Sequence, residues 1–319
     1  LLNLHRLRLL HEFRLRGTVA AVAAALSYSP STVSQQLAIL EREAGVGLFI
    51  PVGRRLQLTP AGEQLAERAA ELLALHDQIR DELRNGSDQV TGTIRLSALQ
   101  STTLTALPRT LTALQRDHPR LRVEMFQLPP EQALFELAGR RFDLVIAEQY
   151  PGTSRDLQPD FDYEPLCEDA MRIAIAPDCS AASLADLRNA VWVMEPLGTA
   201  AREWAVQQCR AAGFEPDVRY QTDDLTAHRL LIQSGNACGI LPSLFLGSRP
   251  ADLTLIDLPG RPLRHVFTTA RKTSVNTPAL RACRQALRAA IAAPEVNGVA
   301  ARSGLAVTGG RPPGEALSA

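Results

Sequence analysis

Lysine is almost missing from this 319-residue chain: Lys272 is the only one, so nearly all positive charge is arginine. That reads mainly as a compositional bias. Lys plus Arg and Asp plus Glu balance at 34 each, a net charge of +0, so whole-chain charge argues neither for nor against a nucleic-acid partner. Cysteine is sparse and scattered, at 167, 179, 209, 238 and 283, an odd number without a C-x-x-C. A disulfide framework and a zinc site are therefore not expected, and reduced thiols are. No apolar run reaches membrane-spanning length. Arg and His interrupt the first residues, so no signal-peptide core is read there and a cytoplasmic location is expected. G-x-S-x-G and H-E-x-x-H are absent. Gly45-Val46-Gly47 is not a G-x-G-x-x-G, and the six histidines show no metal-ligand spacing. Catalysis, metal and cofactor thus have no support.

Where the charge sits is more informative. Residues 1–62 carry seven arginines against three glutamates, +4, whereas residues 63–91 carry three arginines against seven acids, −4. The basic end also contains the stretch Ser29-Pro30-Ser31-Thr32-Val33-Ser34-Gln35-Gln36-Leu37-Ala38-Ile39-Leu40. Ser29 is a helix cap and Pro30 suits the first helical position. Val33, Leu37 and Leu40 form one buried stripe. Ser31, Thr32, Ser34, Gln35 and Ala38 then face outward, a polar and almost uncharged surface. Gln bonds adenine with two hydrogen bonds, and hydroxyls bond bases or phosphates. An ordinary amphipathic helix would look similar. The short helix before it, about 18–26, and the tight Ser27-Tyr28 connection make a helix-turn-helix. A first helix, about 4–15, supplies Leu7, Leu10 and Phe13 to the core.

With these residues in view, positions 2–62 resemble the N-terminal domain of the LysR-type transcriptional regulators. Gly17 to Leu26 resembles their Gly-Ser-Phe-x-x-Ala-Ala-x-x-Leu helix, with Thr18 and Val19 in place of Ser and Phe. Ser29 to Glu41 resembles their recognition helix, including Ser34 and Gln36. Gly45-Val46-Gly47-Leu48-Phe49 and Leu58-Thr59-Pro60-Ala61-Gly62 resemble their wing and the start of their linker helix. The resemblance begins almost at once, so little is expected to precede it. The DNA contacts expected are Ser29, Ser31, Thr32, Ser34 and Gln35, with Arg54 and Arg55 on a basic wing tip that reaches phosphate or the minor groove.

Thr59-Pro60 opens a helix expected to run to about 83. Leu65, Leu72 and Ile79 repeat every seven residues, as do Ala69, His76 and Leu83, so it reads as a coiled-coil-like seam that pairs with its own copy. Packing on its own domain is the other possibility. Asn85-Gly86-Ser87-Asp88 marks a boundary. From Gly92 the strands near 93–98, 121–127 and 142–147 alternate with helices, giving a parallel α/β unit. Strands near 171–176, 191–194, 218–221 and 237–241 form a second. The fold class expected is α/β: a winged helix-turn-helix (1–62), a linker helix and hinge (63–91), and a two-lobed effector domain (92–294). The resemblance implies a fold like a periplasmic binding protein, with lobe I about 92–162 and 266–294 and lobe II about 163–265. Residues 295–319, rich in Gly, Ala and Pro without periodicity, read as a disordered tail.

Strand ends facing a cleft nominate an effector site. Ser101 and Thr102 open a helix in the first lobe, and Thr199 and Thr222 do the same in the second. Plain helix capping explains these hydroxyls equally well. Glu148 ends the apolar strand Leu144-Val145-Ile146-Ala147 and would meet an amine, unless it is a surface carboxylate or paired with Arg. Together they suggest a ligand with separated acidic and cationic ends, such as an amino acid. Cys238 beside the cleft is a weak candidate oxidant sensor. The reading is a regulator that binds double-stranded operator DNA as a homodimer or homotetramer, under control of a small-molecule effector, without cofactor or membrane. A solute-binding protein or an enzyme built on the two lobes are the alternatives. Neither has a use for the N-terminal helices.

Overall fold

The computed structural model describes residues 1–53, 55–85, 90–153, 158–247 and 252–293. Arg54, most of the Asn85–Asp88 boundary and the expected tail from 295 to 319 lie outside the described residues.

Three helices open the chain: α1 (Leu4–Arg16), α2 (Val19–Leu26) and α3 (Pro30–Ala44). Each is started by a side-chain cap, from Asn3, Thr18 and Ser29 respectively. Leu7, Leu10, Phe13, Val22, Val33, Leu37 and Leu40 share one core. The wing follows as an antiparallel hairpin of β1 (Phe49–Val52) and β2 (Arg55–Leu58). Its root is fixed by Glu41, whose carboxylate accepts from the backbone N–H groups of Leu48 (2.6 Å) and Phe49 (3.1 Å).

The long helix α4 (Pro60–Asn85) divides the expected seam. Ala66 and Ala69 are buried in the N-terminal core and Leu65 packs against it, so the first turns bind their own domain. Further along, Leu72, Leu75 and Ile79 remain 46%, 51% and 46% exposed, and His76 is exposed too. The helix has a domain-facing start and, beyond it, an exposed apolar face at Leu72, Leu75 and Ile79. The side chain of Leu83 lies outside the described residues.

The rest is two α/β lobes. The first contains β3 (Gly92–Ala98), the single turn α5 (Gln100–Thr103), α6 (Ala106–Asp117), β4 (Leu121–Gln127), α7 (Pro130–Ala138) and β5 (Leu144–Gln149). β3 pairs in parallel with both β4 and β5, as the β-α-β-α-β reading requires. β6 (Phe161–Ile175) then runs through both lobes. The second lobe adds β7 (Val191–Met194), α8 (Ala200–Ala211), β8 (Asp217–Gln221), α9 (Leu225–Gln233), β9 (Gly239–Pro242), the single turn α10 (Ser243–Leu246) and β10 (Thr254–Asp257). The chain returns through β11 (Leu263–Arg271) and ends in α11 (Pro278–Ala292).

Here the structure departs from the expected second parallel set. β7 and β8 are parallel, but β9 and β10 both pair antiparallel with the second half of β6. Residues 161–170 of β6 pair antiparallel with β11, and at Leu166 the register slips between Cys167↔Val266 and Pro165↔Phe267. This segment reads poorly as a strand because of Pro165 and its many carboxylates. Arginines neutralise those charges: Arg284 binds Asp162 and Glu164, and Arg264 binds Asp169. The bulge accommodates the proline, which cannot donate to the ladder. Separate buried clusters fill the two lobes, one around Leu96, Leu144 and Leu287 and one around Ile173, Trp192 and Trp204.

Gly62 in the first turn of α4 shows why the wing root needs a glycine. A Cβ there would lie 2.3 Å from the backbone oxygen of Leu48. That oxygen already accepts from Thr59 N at 3.0 Å, and Thr59 Oγ1 caps Gly62 N at 3.0 Å. Because the obstacle is backbone, Gly62→Ala should cost about 1–3 kcal/mol, the range for forcing extra volume into a packed site. Gly47→Ala, whose Cβ meets nothing closer than 4.0 Å, should be tolerated. Urea unfolding of the two variants measures this, and equal midpoints would remove the close approach from the account.

Candidate functional site

Two surfaces carry the nominated residues. On α3, Ser31, Thr32, Ser34, Gln35 and Ala38 are exposed while Val33, Leu37 and Leu40 are buried. Ser29 Oγ accepts from Thr32 N at 3.1 Å and lies 2.8 Å from both Ser31 Oγ and Thr32 Oγ1. Its first task is therefore to cap the helix, with the hydroxyl cluster held at a positive helix end. Gln35 and Ser34 make no side-chain hydrogen bond among the described residues. Arg55 is exposed at the start of β2.

The basic excess of this domain is less available than its composition suggests. Arg6 holds Glu43 at 2.6 Å and Gln36 at 3.1 Å, and Arg14 holds Glu63 and Glu67. Arg16 is committed elsewhere: Nε donates to Glu12 (2.7 Å), and Nη1 and Nη2 donate to Glu136 on α7 (3.1 and 2.7 Å). These three side chains are buried, with the Arg16 guanidinium 5.2 Å from the Phe135 ring centre. Burial pushes the Glu12 carboxyl above its ordinary range, against the pull of Arg16. Arg42 and Arg55 stay exposed and outside these ion pairs.

The second surface is the cleft between the lobes. Arg264 on β11 lies at its floor, directly opposite Asp169 on β6 in the strand register. Its Nε and Nη2 donate to Asp169 Oδ2 at 2.9 and 2.7 Å, its Nη1 donates to Glu148 Oε2, and Nη2 also donates to Ser101 Oγ at 2.7 Å. Asp169 Oδ1 accepts from Leu244 N at 2.7 Å, and Tyr150 OH donates to Glu148 Oε1 at 3.1 Å. Burial alone would lower the Arg264 pKa, but the adjacent Glu148 and Asp169 hold it above the ordinary arginine value. Burial, and next the Glu148 charge, push the Tyr150 phenol well up. One guanidinium thereby ties β5, β6, β11 and α5 together.

Of the five nominated effector residues, Ser101, Glu148 and Thr199 line the cleft. Thr102 and Thr222 are not among the lining residues. Thr102 is fully buried and its hydroxyl donates to Leu99 O at 2.8 Å. Thr222 Oγ1 accepts from Asp224 N at 3.1 Å, and its carbonyl accepts from the His228 ring at 2.8 Å. Both hydroxyls satisfy local backbone without capping a helix: α5 has no side-chain cap, and Asp224 caps α9. Thr199 does cap, accepting from Arg202 N at 3.3 Å. Glu148 is paired with Arg, again the plainer alternative.

Sequence reasoning missed Arg264, Asp169, Tyr150, Trp204, Glu195 and Gln100. Tyr150 and Trp204, both lining the cleft, stack on each other at 5.2 Å between ring centres. Gln100 crosses its mouth, donating from Nε2 to Asp224 Oδ1 (2.7 Å) while Oε1 accepts from Leu225 N (2.5 Å). An aromatic or amide after a strand end is the local signal that was available. The Arg264–Asp169 pairing has none, because 95 residues separate the two. The start of α7, at Pro130 and Glu131, also lines the cleft, and its far end carries the Glu136 that Arg16 of α1 holds.

The thiols are poor redox candidates. Cys238 is buried, and burial pushes its thiol well above the ordinary cysteine value. Burial likewise pushes Cys167, Cys209 and Cys283 up to about 12. Thiolate, the reactive form, is suppressed at all four. Cys179 is exposed. Among the described residues no cluster of His, Cys, Asp and Glu could hold a metal ion, and no helix is long and apolar enough to cross a membrane.

Residues 4–63 match the profile described as bacterial regulatory helix-turn-helix protein, lysR family, and residues 87–292 match the LysR substrate binding domain. The chain is 27% identical over 252 residues to the transcriptional dual regulator GltC of Bacillus subtilis (strain 168), covering 78% of this chain and 84% of that protein. It is 24% identical over 221 residues to a hydrogen peroxide-inducible genes activator of Dickeya chrysanthemi, covering 68% and 71%. Among solved structures, a full-length OxyR from Pseudomonas aeruginosa with a cysteine-to-aspartate substitution superposes with a TM-score of 0.63 at 18% identity, covering 90% of this chain and 95% of that one. At that identity the likeness is one of fold.

Proposed function

The chain belongs to the LysR family of bacterial transcriptional regulators, and we propose that α3 reads its operator while a small molecule in the Arg264 cleft adjusts that reading. It is a DNA-binding regulator controlled by an effector, and not an enzyme. This sets aside the solute-binding and catalytic alternatives. The observation that carries the DNA assignment is the outward face of α3: polar, almost uncharged and unengaged at Ser34 and Gln35. In this reading Ser29, Ser31 and Thr32 meet phosphate at the helix N-terminus, Ser34 and Gln35 reach base edges, and Arg55 on the wing meets backbone. Arg54 joins it by sequence position.

The division at 1–62, 63–91 and 92–294 belongs to the same proposal, as does a cytoplasmic location, where the operator is. So does assembly through α4 into a homodimer or a homotetramer. Leu72, Leu75 and Ile79 recur at i, i+3 and i+7, one face of the helix, and are left half-exposed in the single chain. A redox role for Cys238 is not favoured, because it is buried and burial pushes its thiol above the ordinary cysteine value.

Gln35→Ala should cost about 1–3 kcal/mol of operator affinity and relax base preference at one position, if it makes a two-bond base contact. Arg55→Ala should weaken all sequences alike and reduce the salt slope by about 1. Fluorescence anisotropy on operator and scrambled duplexes separates the two, and an unchanged preference in Gln35→Ala would end the base-reading role. For assembly, Leu72→Glu should place like charges across the helix pair and lower the sedimentation coefficient. An unaltered oligomer would take α4 out of the interface.

A further inference from the structure

We propose that the cleft selects a cationic effector, an ammonium, amidinium or guanidinium group on a small apolar body. The inference rests on the reading that the cleft is the effector site. Glu131, Glu148, Glu195 and Asp223 line it, against Arg264 as the one cationic side chain among the lining residues. Arg264 is spent. Every nitrogen of its guanidinium donates to Asp169, Glu148 or Ser101, so its charge is met by two carboxylates in the floor. An incoming carboxylate would find no uncommitted cation there.

Glu195 is the anion without a counterpart. It follows Met194 at the end of β7, and its carboxylate makes no ion pair among the described residues. Arg202 reaches only its backbone oxygen, at 3.0 Å. His228 behind it is buried, with Nε2 donating to Thr222 O at 2.8 Å. Burial pushes the Glu195 carboxyl above its ordinary range, and the neighbouring His228 opposes that only in part. A half-buried carboxylate met only by its own backbone N–H and without an ion pair is poorly compensated, and a ligand cation in the cleft supplies the missing charge.

The remaining walls are mostly apolar, with Tyr150, Met171, Trp204, Leu225 and Ile240 beside the neutral polar Gln100, Ser101, Gln127 and Thr199. They suit an aromatic or aliphatic body rather than a polyhydroxylated one. One feature favours negative charge, the N-terminus of α8 at Thr199, Ala200 and Ala201. A helix end contributes about half a unit of positive charge, too little to offset Glu195 and Asp223 together. The amino-acid expectation built on Glu148 therefore changes: Arg264 neutralises Glu148, and Glu195 is the carboxylate left to meet an amine.

The test uses the full chain and matched probes: benzylamine, phenethylamine, putrescine and agmatine, each beside the carboxylate and alcohol of the same skeleton. Trp204 lies on the cleft and is one of two tryptophans, so quenching of tryptophan fluorescence reports occupancy, and calorimetry gives affinity. At least one amine should bind ten-fold or more tightly than its carboxylate and alcohol partners. Glu195→Gln should weaken that amine at least ten-fold while its melting temperature shows that it folds. Carboxylates binding as tightly as amines, with Ser101→Ala weakening them, would overturn the charge assignment and leave the effector reading intact. Amine binding that Glu195→Gln does not change would overturn the assignment as well. No quenching by any probe would overturn both.

Discussion

A single guanidinium holds the two lobes in register. Arg264 and Asp169 face each other on antiparallel strands that both belong to the crossing segment, and both are buried. A buried ion pair is stable only when its remaining donors and acceptors are also met. Here they are, and each extra bond comes from a different part of the fold: Glu148 from the end of β5, Ser101 from the start of α5, and Leu244 N from the start of α10. The first two belong to one lobe and the third to the other. Moving either lobe against the other would strip a partner from a buried charge, so the floor of the cleft is rigid and movement is left to its mouth. Gln100 stands there, joined to Asp224 through an exposed hydrogen bond and to Leu225 N through a partly buried one. Such bonds exchange readily with water and contribute little net stability, about 0.5–1.5 kcal/mol each.

The same economy of arginine recurs at the N-terminal domain. Arg16 neutralises Glu12 of its own helix and Glu136 of α7 in one buried cluster. The first residues of α7 line the cleft while its last turns meet α1, so one short helix joins the cleft wall to the N-terminal domain. Arg6 and Arg14 are likewise structural. Three of the seven arginines of residues 1–62 thus serve to fix helices, and the surface left for phosphate includes the hydroxyl-rich start of α3 with the exposed Arg42 and Arg55.

What was legible in the sequence follows from how local each signal is. Ser29, Pro30 and the stripe Val33-Leu37-Leu40 define α3 within a dozen residues, and the caps at Thr18 and Thr59 are equally self-contained. The parallel arrangement of β3, β4 and β5 follows from alternation alone. By contrast, β6 hides behind Pro165 and a run of carboxylates that look solvated until the distant arginines are in place. The hydroxyls of Thr102 and Thr222 illustrate the opposite error. Their position at strand ends was read correctly, but the nearest backbone group claims them before any ligand can. Glu148 was placed on the cleft with an Arg pairing left open, and the arginine itself could not be named because it lies 116 residues away.

The central claim is that Arg264 and Asp169 act as one unit. A double-mutant cycle in the full chain tests it, with unfolding in urea followed by the fluorescence of Trp192 and Trp204, both in the second-lobe core. Arg264→Met leaves Glu148 and Asp169 without their cation, and Asp169→Leu leaves the arginine half-satisfied, so each should cost about 3–5 kcal/mol. The double variant should cost clearly less than the two losses together, with a coupling of at least about 1.5 kcal/mol. Strictly additive losses, or an Arg264→Met chain as stable as the parent, would contradict the account.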